Sequence, residues 1–133
     1  MRILLVDDER FSRSLMADGL RSLGFEIVEA ESALEALDLW TSEEFDTVVT
    51  DIVMDGMNGL ELARRLAADL ATRSSAGSSS TQPARQTHLV ALTGSVTDTK
   101  DQASFAEVFD TVLSKPILPE AVAVALLGAG KPT

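Results

Sequence analysis

The sequence predicts an α/β domain, a doubly wound parallel sheet built as (βα)₅. Short apolar runs and amphipathic stretches alternate five times along the chain, and the runs are apolar without strict polar alternation. Polar residues suited to chemistry cluster where those runs end. Non-alternating runs of this length suit strands buried on both faces, the habit of parallel sheets flanked by helices. Strict strand–helix alternation then favours right-handed crossovers and a two-layered wrapping of the sheet.

The first strand is Ile3–Val6, followed by a helix over 9–23 with Leu15, Met16, Leu20 and Leu23 along one side. Phe25–Glu29 is the second strand. The helix over 33–42 opens with Ser32 and Glu35 at capping-box spacing and stacks Ala33, Leu37 and Trp40. Phe45–Thr50 is the third strand, carrying Val48 and Val49. A third helix opens at Asn58, with Glu61 three residues on and Ala63, Leu66, Ala67 and Leu70 in line. Leu89–Leu92 is the fourth strand, a shorter helix follows Thr97, and Phe109–Leu113 is the fifth strand. The last helix runs from Pro119 to Leu127, with proline in its first turn, where a missing N–H costs little. The expected strand order is the flavodoxin-like 2-1-3-4-5, which alternation favours without dictating. In such sheets a site forms outside the carboxyl ends of the strands, where the order reverses.

One stretch breaks the rhythm. Residues 73–86 are rich in Ser and Gly and exceed the roughly 2–6 residues usual between a helix and the next strand. They read as a solvated, mobile insertion at the edge of the sheet away from the strands' carboxyl ends. The expected organisation is one domain over 1–128, with 129–133 as a flexible tail or the start of a linker. The methionine start fits a natural N-terminus.

The net charge of −10 repels phosphate backbones and anionic lipid, so neither nucleic acid nor membrane is an expected partner. The chain has no cysteine and one histidine, which excludes disulfides, thiolate chemistry and multi-histidine zinc sites. His88 reads as an ordinary residue at the start of the fourth strand. The run Ile3–Val6 ends at once in acids, unlike a secretion signal, and Ala121–Leu127 falls far short of the ~20 residues that span a bilayer. The cytoplasm is the expected compartment.

The strand ends hold the chemistry. Strand one ends in Asp7-Asp8, strand three in Asp51, strand four in Thr93 and strand five in Ser114-Lys115-Pro116. The fold brings these to one sheet edge. Three carboxylates there repel one another and call for a cation, and Mg²⁺ suits an all-oxygen site of few carboxylates. Lys115 offers a point charge and Thr93 a hydroxyl, both suited to phosphoryl oxygens.

These residues resemble the receiver domain of two-component response regulators, over residues 1 to about 127. Val6-Asp7-Asp8-Glu9 matches the family's metal-binding acids, and Asp51 in Val49-Thr50-Asp51-Ile52-Val53-Met54 falls at the phospho-acceptor. Thr93 in Ala91-Leu92-Thr93-Gly94 and Lys115 in Leu113-Ser114-Lys115-Pro116 fall at the hydroxyl and lysine that contact the phosphoryl group. Met57-Asn58-Gly59 matches the turn into the third helix. The resemblance further implies a cis Lys115–Pro116 bond and a Mg²⁺ contact from the backbone carbonyl of Val53. It implies a phosphohistidine donor on a histidine kinase or histidine phosphotransfer protein. It also implies no enzymatic turnover beyond the domain's own phosphorylation and dephosphorylation. The Leu-Ser-Lys-Pro-Ile stretch is similar to receivers attached to hybrid histidine kinases.

Three positions depart from the family pattern. Val112 replaces an aromatic that couples the hydroxyl residue to the surface, so the expected signal moves to the loop from Thr93 to Lys100. Asp55 stands in place of a proline, and Val108 in place of a glycine before the fifth strand. Two other functions compete. A phosphorylation-independent interaction module is supported by Val112 but opposed by the intact site residues. A metal-dependent phosphatase lacks the expected Asp-x-Asp pair in Asp51-Ile52-Val53-Met54-Asp55 and an evident cap domain.

Overall fold

The computed structural model describes residues 1–54, 56–76, 87–94 and 107–129. Five parallel strands form one sheet in the order β2-β1-β3-β4-β5. They are β1 (Arg2–Val6), β2 (Glu26–Ala30), β3 (Thr47–Asp51), β4 (His88–Thr93) and β5 (Thr111–Ser114). The helices are α1 (Arg10–Ser22), α2 (Ala33–Ser42), α3 (Gly59–Ala76) and α4 (Pro119–Ala129). Glu107 and Val108 are also helical, and the helix expected after Thr97 lies otherwise outside the described residues.

The period of two along each strand sorts the core into two layers. Leu4, Val6, Val48, Leu89 and Ala91 face α2 and α3, where they meet Trp40, Phe45, Leu62 and Leu66. Ile3, Leu5, Val49, Val90 and Leu92 face the other way, toward Ala17 and Leu20 of α1 and Val122 and Leu126 of α4. Both faces are covered, which is why the runs carry no polar alternation. Trp40 also donates from Nε1 to Asp69 Oδ2 at 2.7 Å, tying α2 to α3.

Local chemistry sets the helix starts. Ser32 Oγ accepts from the Glu35 N–H at 3.1 Å, and Asn58 Oδ1 from the Glu61 N–H at 2.9 Å, so Asn58 is the cap and α3 begins one residue later. Phe25, Phe45 and Phe109, taken as strand starts from the sequence, lie just before strands that begin where pairing begins. α1 departs most from expectation. Its buried residues are Ala17 and Leu20, whereas Leu15 is 72% exposed and Leu23 47%. Leu15 is two residues from Ala17, about 200° around the helix, and so turns away from the sheet.

α3 continues through Ala76, four residues into the stretch read as an insertion, and residues 77–86 lie outside the described residues. At the other end, Ala129 belongs to α4 and not to a tail, and 130–133 lie outside the described residues. His88 sits at the sheet edge away from the strands' carboxyl ends, with Nε2 3.5 Å from Thr111 Oγ1. Among the described residues no helix is long and apolar enough to cross a membrane.

Candidate functional site

The carboxyl edge of the three central strands gathers the residues singled out in the sequence. Asp7 follows β1, Asp51 closes β3 and Thr93 closes β4; Lys115 follows β5. Cross-strand bonds hold the edge in register: the Ile52 N–H donates to Leu92 O at 3.2 Å and the Lys115 N–H to Thr93 O at 2.8 Å. Lys115 precedes a cis peptide bond to Pro116, as the resemblance implied.

Carboxylate oxygens of Asp7, Asp8 and Asp51 all lie within 4.8 Å of one another, the metal-type cluster found among the described residues. Asp7 is buried, Asp51 half-buried and Asp8 exposed, so the cluster opens to solvent on the Asp8 side. Lys115 Nζ lies 3.0 Å from Asp51 Oδ1 and 3.9 Å from Asp7 Oδ2. Three clustered carboxylates with one ammonium beside them form an all-oxygen donor set that fits a hard divalent cation such as Mg²⁺. Burial pushes the Asp7 carboxyl above its ordinary 3.8, and Asp51 and Asp8 add to the rise; the Glu9 N–H and Lys115 oppose it.

Thr93 is buried at the end of β4, and Val53 is 80% exposed in the loop two residues past Asp51. Asp55 lies outside the described residues, as does the loop from 95 to 100 expected to carry a signal. Val112 is 38% exposed on β5, in register with Ala91 of β4. Val108 is helical and packs against the α2–α3 core.

Two contributors escaped sequence reasoning. Arg13, in the first turn of α1, donates from Nη1 to the Asp7 carbonyl at 2.8 Å and from Nε to Glu29 Oε1 at 3.2 Å. Gly59 brings the start of α3 so close that a Cβ there would stand 2.0 Å from the Asp51 carbonyl oxygen. The only signal for Gly59 was its place in Met57-Asn58-Gly59, and nothing local marked Arg13.

Fold and edge together define a receiver of the kind used in two-component signalling. The chain belongs to the response regulator receiver domain family, whose model matches residues 3–127. Over 68 residues it is 46% identical to the virulence sensor protein BvgS of Bordetella bronchiseptica, a stretch covering 51% of this chain and 6% of that protein. Over 122 residues it is 29% identical to the sensor histidine kinase RcsC of Salmonella typhi, covering 92% of this chain and 11% of that one. The chain thus spans a small fraction of the length of these relatives. Among solved structures, the response regulator protein TrrA from Thermotoga maritima, in complex with Mg(2+)-BeF, is similar with a TM-score of 0.76. It is 28% identical, with 96% of this chain and 97% of that one covered.

Proposed function

We propose that this domain accepts a phosphoryl group on Asp51 from a phosphohistidine of a histidine kinase or histidine phosphotransfer protein. The observation that carries the reading is Lys115 Nζ at 3.0 Å from Asp51 Oδ1, beside an acidic trio open to solvent. An Asp51 carboxylate oxygen attacks phosphorus in line. The O–P bond forms as the bond from phosphorus to the donor imidazole nitrogen breaks. Lys115 exchanges its hold on the carboxylate for a phosphoryl oxygen, and the Thr93 hydroxyl donates to another. Asp7, Asp8, Asp51 and the Val53 carbonyl would hold Mg²⁺, which would supply positive charge against the phosphoryl oxygens. Positioning and charge do the catalysis, as in phosphoryl transfer generally. No outside substrate is turned over, the compartment is the cytoplasm, and neither nucleic acid nor membrane is engaged directly. The chain through the end of α4 at Ala129 acts as one unit, with the Ser-rich segment dispensable for the chemistry.

The test is intact mass after incubation with acetyl phosphate. The native protein should gain one phosphoryl group with Mg²⁺ present and none after chelation. A gain that is insensitive to chelation would contradict the metal's role. Absence of any gain, with Mg²⁺ present and the protein folded, would favour the phosphorylation-independent module that Val112 supports.

The acidic trio also ties stability to pH and metal. The native pKa of Asp7 lies above its unfolded value, so the folded state holds that proton more tightly. The stability this adds is complete below the unfolded pKa and is lost as pH rises through the native one. At neutral pH the ionised Asp7 is therefore a cost. Asp7→Asn should stabilise the metal-free protein by about 1 kcal/mol. Mg²⁺ at ten times its Kd should raise native stability by about 1.4 kcal/mol. That metal-dependent gain should shrink in Asp7→Asn. Thermal melts at pH 7 with and without Mg²⁺ check both, and a variant less stable than native in chelator would refute the electrostatic account.

A further inference from the structure

We infer that Arg13 is a positioning residue for the metal-binding acids, holding the Asp7–Asp8 peptide in place by a strut from α1 to β2. The inference rests on the proposed phosphoryl-accepting site and assigns a role to a residue outside it. Asp7 and Asp8 lie on a connection between β1 and α1, and Asp8 is exposed. Left to itself, such a connection has several ways to aim two adjacent carboxylates.

Three bonds remove that freedom at Asp7. Its N–H donates to Ala30 O at 3.1 Å, at the end of β2. Its Oδ1 accepts from the Glu9 N–H at 2.9 Å. Its carbonyl accepts from Arg13 Nη1 at 2.8 Å. This carbonyl belongs to the peptide unit that carries the Asp8 N–H, so fixing it fixes the plane from which Asp8 departs. The guanidinium is itself held, because Nε donates to Glu29 Oε1 at 3.2 Å and the Arg13 side chain is only 14% exposed. Glu29 is gripped from its other oxygen by Arg21 Nη2 at 3.3 Å, and Arg21 Nη2 also reaches Ile27 O at 3.0 Å. The strut therefore ends on β2, not on a free side chain. A planar fork can serve a carbonyl and a carboxylate at once, which a single ammonium does less well.

Charge and geometry make opposite forecasts here. Removing a cation near an acidic trio should tighten Mg²⁺ binding if Arg13 acts only through its charge. If Arg13 positions the acids, its loss should weaken binding, on the order of tenfold for a partner that orients metal ligands.

The experiment is Mg²⁺ titration of the metal-free full chain, followed by backbone amide NMR, for the native protein, Arg13→Met, Arg13→Lys, Asp8→Ala and Leu37→Ala. Arg13→Met keeps the apolar stem and loses the donors. Arg13→Lys keeps the charge, so it reports on geometry even if Arg13→Met does not fold. Leu37→Ala, on α2, loosens the domain without touching the strut. We expect Kd for Mg²⁺ to rise about tenfold in Arg13→Met and about threefold in Arg13→Lys. Leu37→Ala should bind as the native protein does. Unchanged or tighter binding in both Arg13 variants overturns the inference, as does equal weakening in Leu37→Ala. A native protein that binds no Mg²⁺, or binds it no better than Asp8→Ala, is a different result, which removes the metal site and not the strut alone.

Discussion

Asp51→Asn is expected to give a folded protein whose labelling by acetyl phosphate and Mg²⁺ falls to background. A loss of at least about 10³-fold in rate, or ~4 kcal/mol in barrier, is expected because an amide oxygen is a poor nucleophile where a carboxylate was. Among the described residues Asp7 and Asp8 are the acids near enough to substitute, but the contacts set Asp51 apart from them. Lys115 Nζ lies 3.0 Å from Asp51 and 3.9 Å from Asp7, and Asp8 is exposed. The fold should survive. The substitution relieves repulsion from Asp7 and Asp8 while weakening one ion pair with Lys115, two opposed effects whose balance should stay within about 1 kcal/mol. Intact mass and a urea melt on the same sample separate chemistry from folding. Labelling of the folded variant within tenfold of the native rate would move the acceptor to another acid.

Gly59→Ala is expected to damage both stability and chemistry, although the residue carries no functional group. Its added Cβ would stand 2.0 Å from the Asp51 carbonyl oxygen, 2.9 Å from its carbonyl carbon and 3.0 Å from Ile52 Cα. All three are backbone atoms at the end of β3 and cannot swing aside. The Gly59 N–H also donates to Ile52 O at 2.9 Å, so α3 cannot withdraw without losing that bond. The expected cost is roughly 3 kcal/mol, a fall of about 10 °C in Tm. Displacing Asp51 by a fraction of an ångström to one ångström should slow labelling by up to ~10²-fold. Gly56→Ala is the comparison. Its φ is +77° with open space around the missing Cβ, so the cost there is the left-handed backbone alone, about 1–2 kcal/mol. A Gly59→Ala protein that melts within 2 °C of native, against the ~10 °C expected, would show that the end of β3 yields more readily than its contacts suggest.

Much of the architecture was legible along the chain because its signals are local. An apolar run without alternation states that both sides of a strand are buried, and Ile3–Val6, Val48-Val49 and Leu89–Leu92 all obey it. Capping residues announce helix starts within three positions, as Ser32 and Asn58 do. The site was legible for a related reason. Polar residues placed just past apolar runs must emerge at the strand ends, so Asp7, Asp8, Asp51, Thr93 and Lys115 could be brought to one edge before any contact was known.

Only the tertiary structure decided matters that join distant segments. Leu15 and Leu20 look alike in sequence, but burial belongs to whichever side of α1 meets the sheet, and Leu15 turns outward. Arg13 reaches Glu29 across sixteen residues of chain, and nothing in either neighbourhood encodes the meeting. Gly59 looks like a turn residue until α3 is set down on the end of β3, where the absence of a side chain becomes a steric requirement. The strands pair in the order β2-β1-β3-β4-β5, which alternation allowed but did not impose. The physical reason is common to all four. Periodicity and polarity are properties of a short segment, whereas a contact between remote segments exists only once the sheet has chosen its neighbours and each helix its angle upon it.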